Sequence, residues 1–146
     1  MEEEIKKIIE KLKEMPDFDS VEFVILYGSQ IIGNPNKFSD YDIAIYYNGT
    51  KRERFNFLLK LDSKLSDEID LKIFQDLPLF IQKEVLKGKL ILAKNLNFVF
   101  SHLYPLFHDK PLKSIWAHIY KPFYLCPPKT SHSLNISFYK IKSKPL

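Results

Sequence analysis

Residues 27–47 read YGSQIIGNPNKFSDYDIAIYY. Asp40 and Asp42 stand two positions apart where an apolar run begins, and Asp70 opens a later run, DLKIF, in the same manner. In an extended strand, residues i and i+2 point to one side. Asp40 and Asp42 would then lie roughly 6.5 Å apart on a shared face, with a neighbouring strand about 4.8 Å away. Three carboxylates can converge at one end of a sheet. Two such charges repel by roughly 2.5 kcal/mol at an effective dielectric of about 20. A divalent cation reverses the sign, and oxygen-only donors favour Mg²⁺, or Mn²⁺ in its place, over zinc. Two such ions about 3.5–4 Å apart could bind a triphosphate and activate an attacking oxygen.

The Gly28-Ser29 pair supplies a complementary chemistry. Gly28 allows backbone to approach a ligand without a Cβ in the way. Ser29 offers a hydroxyl and an N–H at the start of a helical turn, where phosphate is favoured. Gly33 closes that turn. Ten residues separate Ser29 from Asp40, enough to return the chain to the sheet and bring phosphate and metal chemistry to one rim.

The elements that must position these groups follow from the apolar pattern. Ile5, Ile8, Ile9 and Leu12 repeat at helical spacing, so 2–14 reads as an amphipathic helix ended by Pro16. VEFVILY, 21–27, is a continuous apolar run and reads as a strand buried on both faces. A second strand is expected at 41–47, then an Asn48-Gly49 turn and a helix over 51–65 with Thr50 as its N-cap. A third strand spans 68–74, a helix runs from Pro78 to Gly88, a short edge strand covers 90–94, and a last helix covers 97–107. This is an α/β (α+β) pattern: a small mixed sheet of three to four strands flanked by helices.

Composition narrows the function classes. The chain has 146 residues, 45% of them hydrophobic and 27% charged, as expected for a single globular domain. The net charge of +4 is unevenly spread: residues 1–109 carry 15 bases against 18 acids, a balance of −3, and 110–146 carry seven lysines and no acid. A basic nucleic-acid surface is therefore not expected on the main body. Residues 1–109 form the expected domain, and 110–146, with five of the nine prolines, an irregular basic tail. No apolar run approaches the roughly 18–20 residues of a membrane span. The charged N-terminus lacks the apolar core of a signal peptide, and the lone Cys126 cannot form an internal disulfide. A cytoplasmic protein is expected, with Cys126 a bystander thiol.

Gly28-Ser29, ten residues, Asp40-x-Asp42 and the later strand aspartate Asp70 together resemble the polymerase-beta-like nucleotidyltransferase superfamily. The size, and LPLFIQKEVLKGKLIL after the third aspartate, resemble its minimal nucleotidyltransferases from prokaryotes. The resemblance covers roughly residues 1–107. It implies that Asp40 and Asp42 bind two Mg²⁺ ions. Asp70 would complete the metal site and act as, or near, the base, and Gly28, Ser29 and Gly33 would hold the nucleotide. It also implies a HEPN-domain ribonuclease toxin as partner, with the chain acting as antitoxin by moving AMP from ATP to a toxin tyrosine. One departure is Ile32, where many relatives carry an arginine near the phosphates. That departure keeps open a second reading, an antitoxin that binds its toxin with little or no catalysis. A third reading is transfer to a small molecule such as an antibiotic, although 95–146 is short for an acceptor-enclosing domain.

Other side chains carry less. Lys113, His118 and Tyr120 echo the basic-x4-His-x-Tyr signature of HEPN ribonucleases, but the tail is too short to build that helical domain. His102 and His108 lack ligand partners at useful spacing. Phe98, Phe100, Tyr104 and Phe107 read as core or as a homodimer surface, three of them at helical spacing.

Overall fold

The computed structural model describes residues 2–28 and 40–107. Helix α1 (Glu2–Lys13) leads through a 3-10 turn at Phe18–Ser20 into strand β1 (Val21–Tyr27). Strand β2 (Tyr41–Tyr47), helix α2 (Lys51–Asp62) and strand β3 (Ile69–Ile73) follow. Helix α3 (Leu79–Val85), strand β4 (Lys89–Ala93) and helix α4 (Leu96–Leu103) complete the elements. The strands form a mixed sheet in the order β3-β2-β1-β4. β1 is antiparallel to β2 and to β4, and β2 is parallel to β3. The parallel pair is joined by α2, as a parallel connection requires a crossover.

Two apolar layers sandwich this sheet. On one face, Ile5, Ile8, Ile9 and Leu12 of α1 and Phe57 and Leu61 of α2 pack on Val24, Leu26, Ile43, Ile45, Leu71 and Ile73. On the other, Val85, Leu86, Val99 and Leu103 cover Phe23, Ile25 and Ala44. The continuous apolar run of β1 is thus explained. Helices lie on both sides of it, so Phe23, Val24, Ile25 and Leu26 are all buried, although both of its neighbours are antiparallel. β3 alternates instead, with Leu71 and Ile73 buried and Lys72 exposed, because no strand among the described residues lies beyond it and its second face is only partly covered.

Local chemistry sets the element ends. Thr50 caps α2 in a capping box: its hydroxyl accepts from the Glu53 N–H at 3.3 Å, and the Glu53 carboxylate accepts from the Thr50 N–H at 2.7 Å. Such a cap contributes about 1 kcal/mol. The helix stops at Asp62 rather than 65, because the Ser63 hydroxyl donates to the Lys60 carbonyl at 2.8 Å and the backbone passes into a turn. α4 starts one residue before the expected position. The Asn95 carbonyl side chain accepts from the N–H groups of Asn97 and Phe98. The expected helix over 97–107 breaks at Leu103 into a 3-10 turn, Tyr104–Phe107. Pro105 has no N–H to donate and disfavours helical backbone at the residue before it.

Side chains also staple the far end of the sheet. The Arg54 guanidinium grips both carboxylate oxygens of Asp76 and donates to the Gly49 carbonyl at 2.9 Å. The Gln75 amide accepts from the Tyr47 N–H and donates to its carbonyl, extending the β2–β3 pairing past the last strand residue. Replacing fully buried Phe57 by alanine is expected to lower stability by about 3–5 kcal/mol through the cavity it leaves. The same change at exposed Phe55 on the same helix should alter stability by less than about 0.5 kcal/mol. Urea denaturation of the two variants measures the contrast.

Candidate functional site

The pairing register decides which side chains meet. Asp42 is the second residue of β2, with Tyr27 as its partner on β1 and Asp70 as its partner on β3. Residues paired across adjacent strands project to the same face. Tyr27, Asp42 and Asp70 therefore form one row across the sheet, at the C-terminal end of β1 and the N-terminal ends of β2 and β3. Tyr41 packs with the opposite layer, against α1 and α2, and its N–H donates to the Glu68 carbonyl at 2.8 Å. That backbone bond holds the β2 and β3 entrances together. Asp40 lies just before β2 and is exposed.

Gly28 takes a role that its local sequence does not reveal. It has φ +84°, and a Cβ built there would sit 2.1 Å from Asp42 Oδ2 and 2.9 Å from Asp42 Cγ. A side chain at this position is excluded twice, by backbone conformation and by the carboxylate itself. The chain leaves β1 with Gly28 packed close against Asp42. Ser29, Ile32 and Gly33 lie outside the described residues, as do His108, His118, Cys126 and the 110–146 tail.

Electrostatics mark the row as a place of negative charge that is only partly compensated. Burial raises the Asp42 carboxyl above its ordinary range, and the charges of Asp70 and Asp40 add to this, with Lys72 partly offsetting them. The Tyr27 phenol is pushed up to about 12, by burial first and then by Asp42 and Asp70. Like charges in a partly buried setting disfavour each other's ionised form. The Lys72 ammonium meets Asp70 Oδ1 at 2.8 Å. Among the described residues no three acidic, histidine or cysteine side chains are gathered into a cage for an ion. The donor chemistry nevertheless fits a hard divalent cation. The two carboxylates stand in register, a third is close enough to be felt, and every donor is an oxygen.

Tyr27 and Lys72 did not stand out in the sequence. Lys72 could have been found, since it lies two residues from Asp70 and so on its face. Tyr27 could not, because only the β1–β2 register brings it beside Asp42. The aromatic segment behaves as packing. Phe98 and Phe100 lean on the second apolar layer, and His102 stacks on Phe98 with centroids 3.9 Å apart. The side chains of Tyr104 and Phe107 lie outside the described part.

Residues 3–97 match the family described as polymerase beta, nucleotidyltransferase. A Methanocaldococcus jannaschii protein, provisionally named a protein adenylyltransferase, is 31% identical over 98 residues, 67% of this chain and 71% of that protein. Among solved structures, the fold resembles a chain in the complex of tri-AMPylated Shewanella oneidensis HEPN toxin with MNT antitoxin. The TM-score is 0.50 at 19% identity, over 80% of this chain and 89% of that one. It also resembles a chain of a toxin–antitoxin structure with AMP-PNP, with TM-score 0.50 at 20% identity, over 72% of this chain and 96% of that one. No helix among the described residues is long and apolar enough to cross a membrane.

Two outcomes test this geometry. Gly28→Ala should destabilise the protein by about 2 kcal/mol or more, and by only about 1–2 kcal/mol in an Asp42→Ala background, where the clash is gone and the backbone cost remains. Denaturation of the four proteins in the cycle reads the coupling. The second concerns pH. Between the ordinary carboxyl value of 3.8 and the raised folded value of Asp42, the folded state binds more protons than the unfolded state. Stability attributable to Asp42 therefore falls as pH rises through that window. Asp42→Asn should flatten that fall, so calorimetry without metal, stepping pH upward from the ordinary carboxyl value, should show a smaller loss of Tm than in the parent.

Proposed function

The chain belongs to the polymerase beta nucleotidyltransferase family, and on that premise we propose that it transfers AMP from ATP to a tyrosine of a HEPN ribonuclease toxin and so acts as an antitoxin. The observation that carries the reading is the register that sets Asp42 beside Asp70, with Gly28 closed over the Asp42 carboxylate. The name of the Methanocaldococcus jannaschii relative supports protein adenylylation. The AMPylated HEPN toxin in one structural neighbour supports the partner and the group transferred, and the AMP-PNP complex supports an adenine nucleotide as donor. Residues 1–109 are taken as the catalytic unit.

In this reading Asp40 and Asp42 hold two Mg²⁺ ions, and Asp70 completes their oxygen donor set. Bound there, the ions would neutralise the triphosphate and favour ionisation of the attacking hydroxyl. Gly28, Ser29 and Gly33 carry the nucleotide, using backbone that no side chain obstructs. The toxin tyrosine oxygen attacks the α-phosphorus, the bond to the bridging oxygen breaks, and pyrophosphate departs. The phenolic proton passes to Asp70, whose carboxylate lies in the row. Catalysis of this kind is mainly positioning and charge stabilisation, so loss of one row carboxylate should be severe.

The test uses ATP labelled on the α-phosphate, Mg²⁺ and a HEPN ribonuclease from the same genome. The expected result is label on a toxin tyrosine, with the rate reduced about 100-fold or more in Asp42→Asn and in Asp70→Asn. Absence of label with the unaltered protein, or equal labelling by Asp42→Asn, overturns the reading. If Asp42→Asn still protects cells from the toxin, neutralisation rests on binding alone.

A further inference from the structure

The proposed metal seat already contains a cation belonging to the protein. Lys72 lies two residues after Asp70 on β3, so both side chains leave the same face of the sheet. Its ammonium is 2.8 Å from Asp70 Oδ1, and the two side chains are 46% and 44% exposed. Its partner on β2 is Ala44, whose methyl group offers no polar contact to draw the ammonium away. β3 is the outer strand of the described sheet, so the pair can be reached from the open side.

Two consequences follow from this placement. A half-exposed ion pair is weak and exchanges readily. A divalent ion carries twice the charge and gathers several oxygens at once, whereas an ammonium is a single point charge on a flexible stem.

We propose that Lys72 is a stand-in cation for the metal. It holds Asp70 in the ion-free protein, is displaced when a divalent ion arrives, and then presents its ammonium to the polyphosphate of the nucleotide. Lys72 is thus a positioning residue. It keeps the row from carrying unopposed charge before the ion is seated, and adds a cation to the phosphate side of the site afterwards. This rests on the reading of Asp42 and Asp70 as metal ligands.

The experiment titrates the full chain with Mn²⁺ alone, following free ion by electron paramagnetic resonance, for the parent, Lys72→Met, Lys72→Gln, Asp42→Asn and Asp70→Asn. Both Lys72 variants should bind Mn²⁺ roughly two- to fivefold more tightly, since the competitor is gone, while their affinity for AMP-PNP with Mg²⁺ falls. In the parent, the Lys72 side-chain NMR resonance, identified by its loss in Lys72→Met, should move on addition of Mg²⁺ without nucleotide. Unchanged or weaker Mn²⁺ binding in both Lys72 variants, with binding lost in Asp42→Asn and Asp70→Asn, overturns the role of Lys72 and leaves the metal reading intact. Full Mn²⁺ binding by Asp42→Asn and Asp70→Asn overturns the metal reading and the role of Lys72 with it.

Discussion

The register of β2 between its two neighbours is the constraint on which the rest depends. Backbone pairing holds Asp42 opposite Asp70 on one side and Tyr27 on the other. Left to themselves, two carboxylates would move apart. Here they are fixed by strands anchored through Ile43, Ala44, Ile45, Leu71 and Ile73, which are buried in two apolar layers. A slip of one residue would send Asp42 into the layer under α1 and expose Ile43 in its place. The buried run Ile43–Ile45 of β2 therefore holds the charged row in position without contributing any side chain to it.

That arrangement stores an electrostatic tension which the protein relieves only in part. Burial and neighbouring charge raise the Asp42 carboxyl, and Lys72 draws it back. The Tyr27 phenol, driven up to about 12, stays neutral and adds no third charge to the two carboxylates. A site with this character gains by taking up a cation. The same features that make the row costly in isolation are the ones on which the proposed seat for a hard ion rests.

Gly28 links the sheet to the chemistry in a second way. Its positive φ and its contact with Asp42 make the exit from β1 part of the site rather than a mere connection. The residues after it leave from a point already touching a carboxylate. Gly28 and the row of Tyr27, Asp42 and Asp70 thus share one rim within the family match over residues 3–97.

Much of this was legible in the linear sequence. Ile5, Ile8, Ile9 and Leu12 announce the buried stripe of α1. The unbroken VEFVILY run announces a strand covered on both faces, and Thr50 with Glu53 announces the start of α2. These are short-range signals, set by periodicities and capping chemistry within a few residues. The glycine-serine and aspartate spacing likewise pointed to the family, because its meaning is carried along the chain. Boundaries at Asp62, Asn95 and Leu103 were less legible, since each depends on one side chain or a proline competing locally with the helix. Tertiary structure alone decided that Tyr27 stands beside Asp42 and that Gly28 is glycine because a carboxylate occupies the space of its Cβ. Strand order and register join residues far apart in sequence, and no local preference encodes which strand a residue will face.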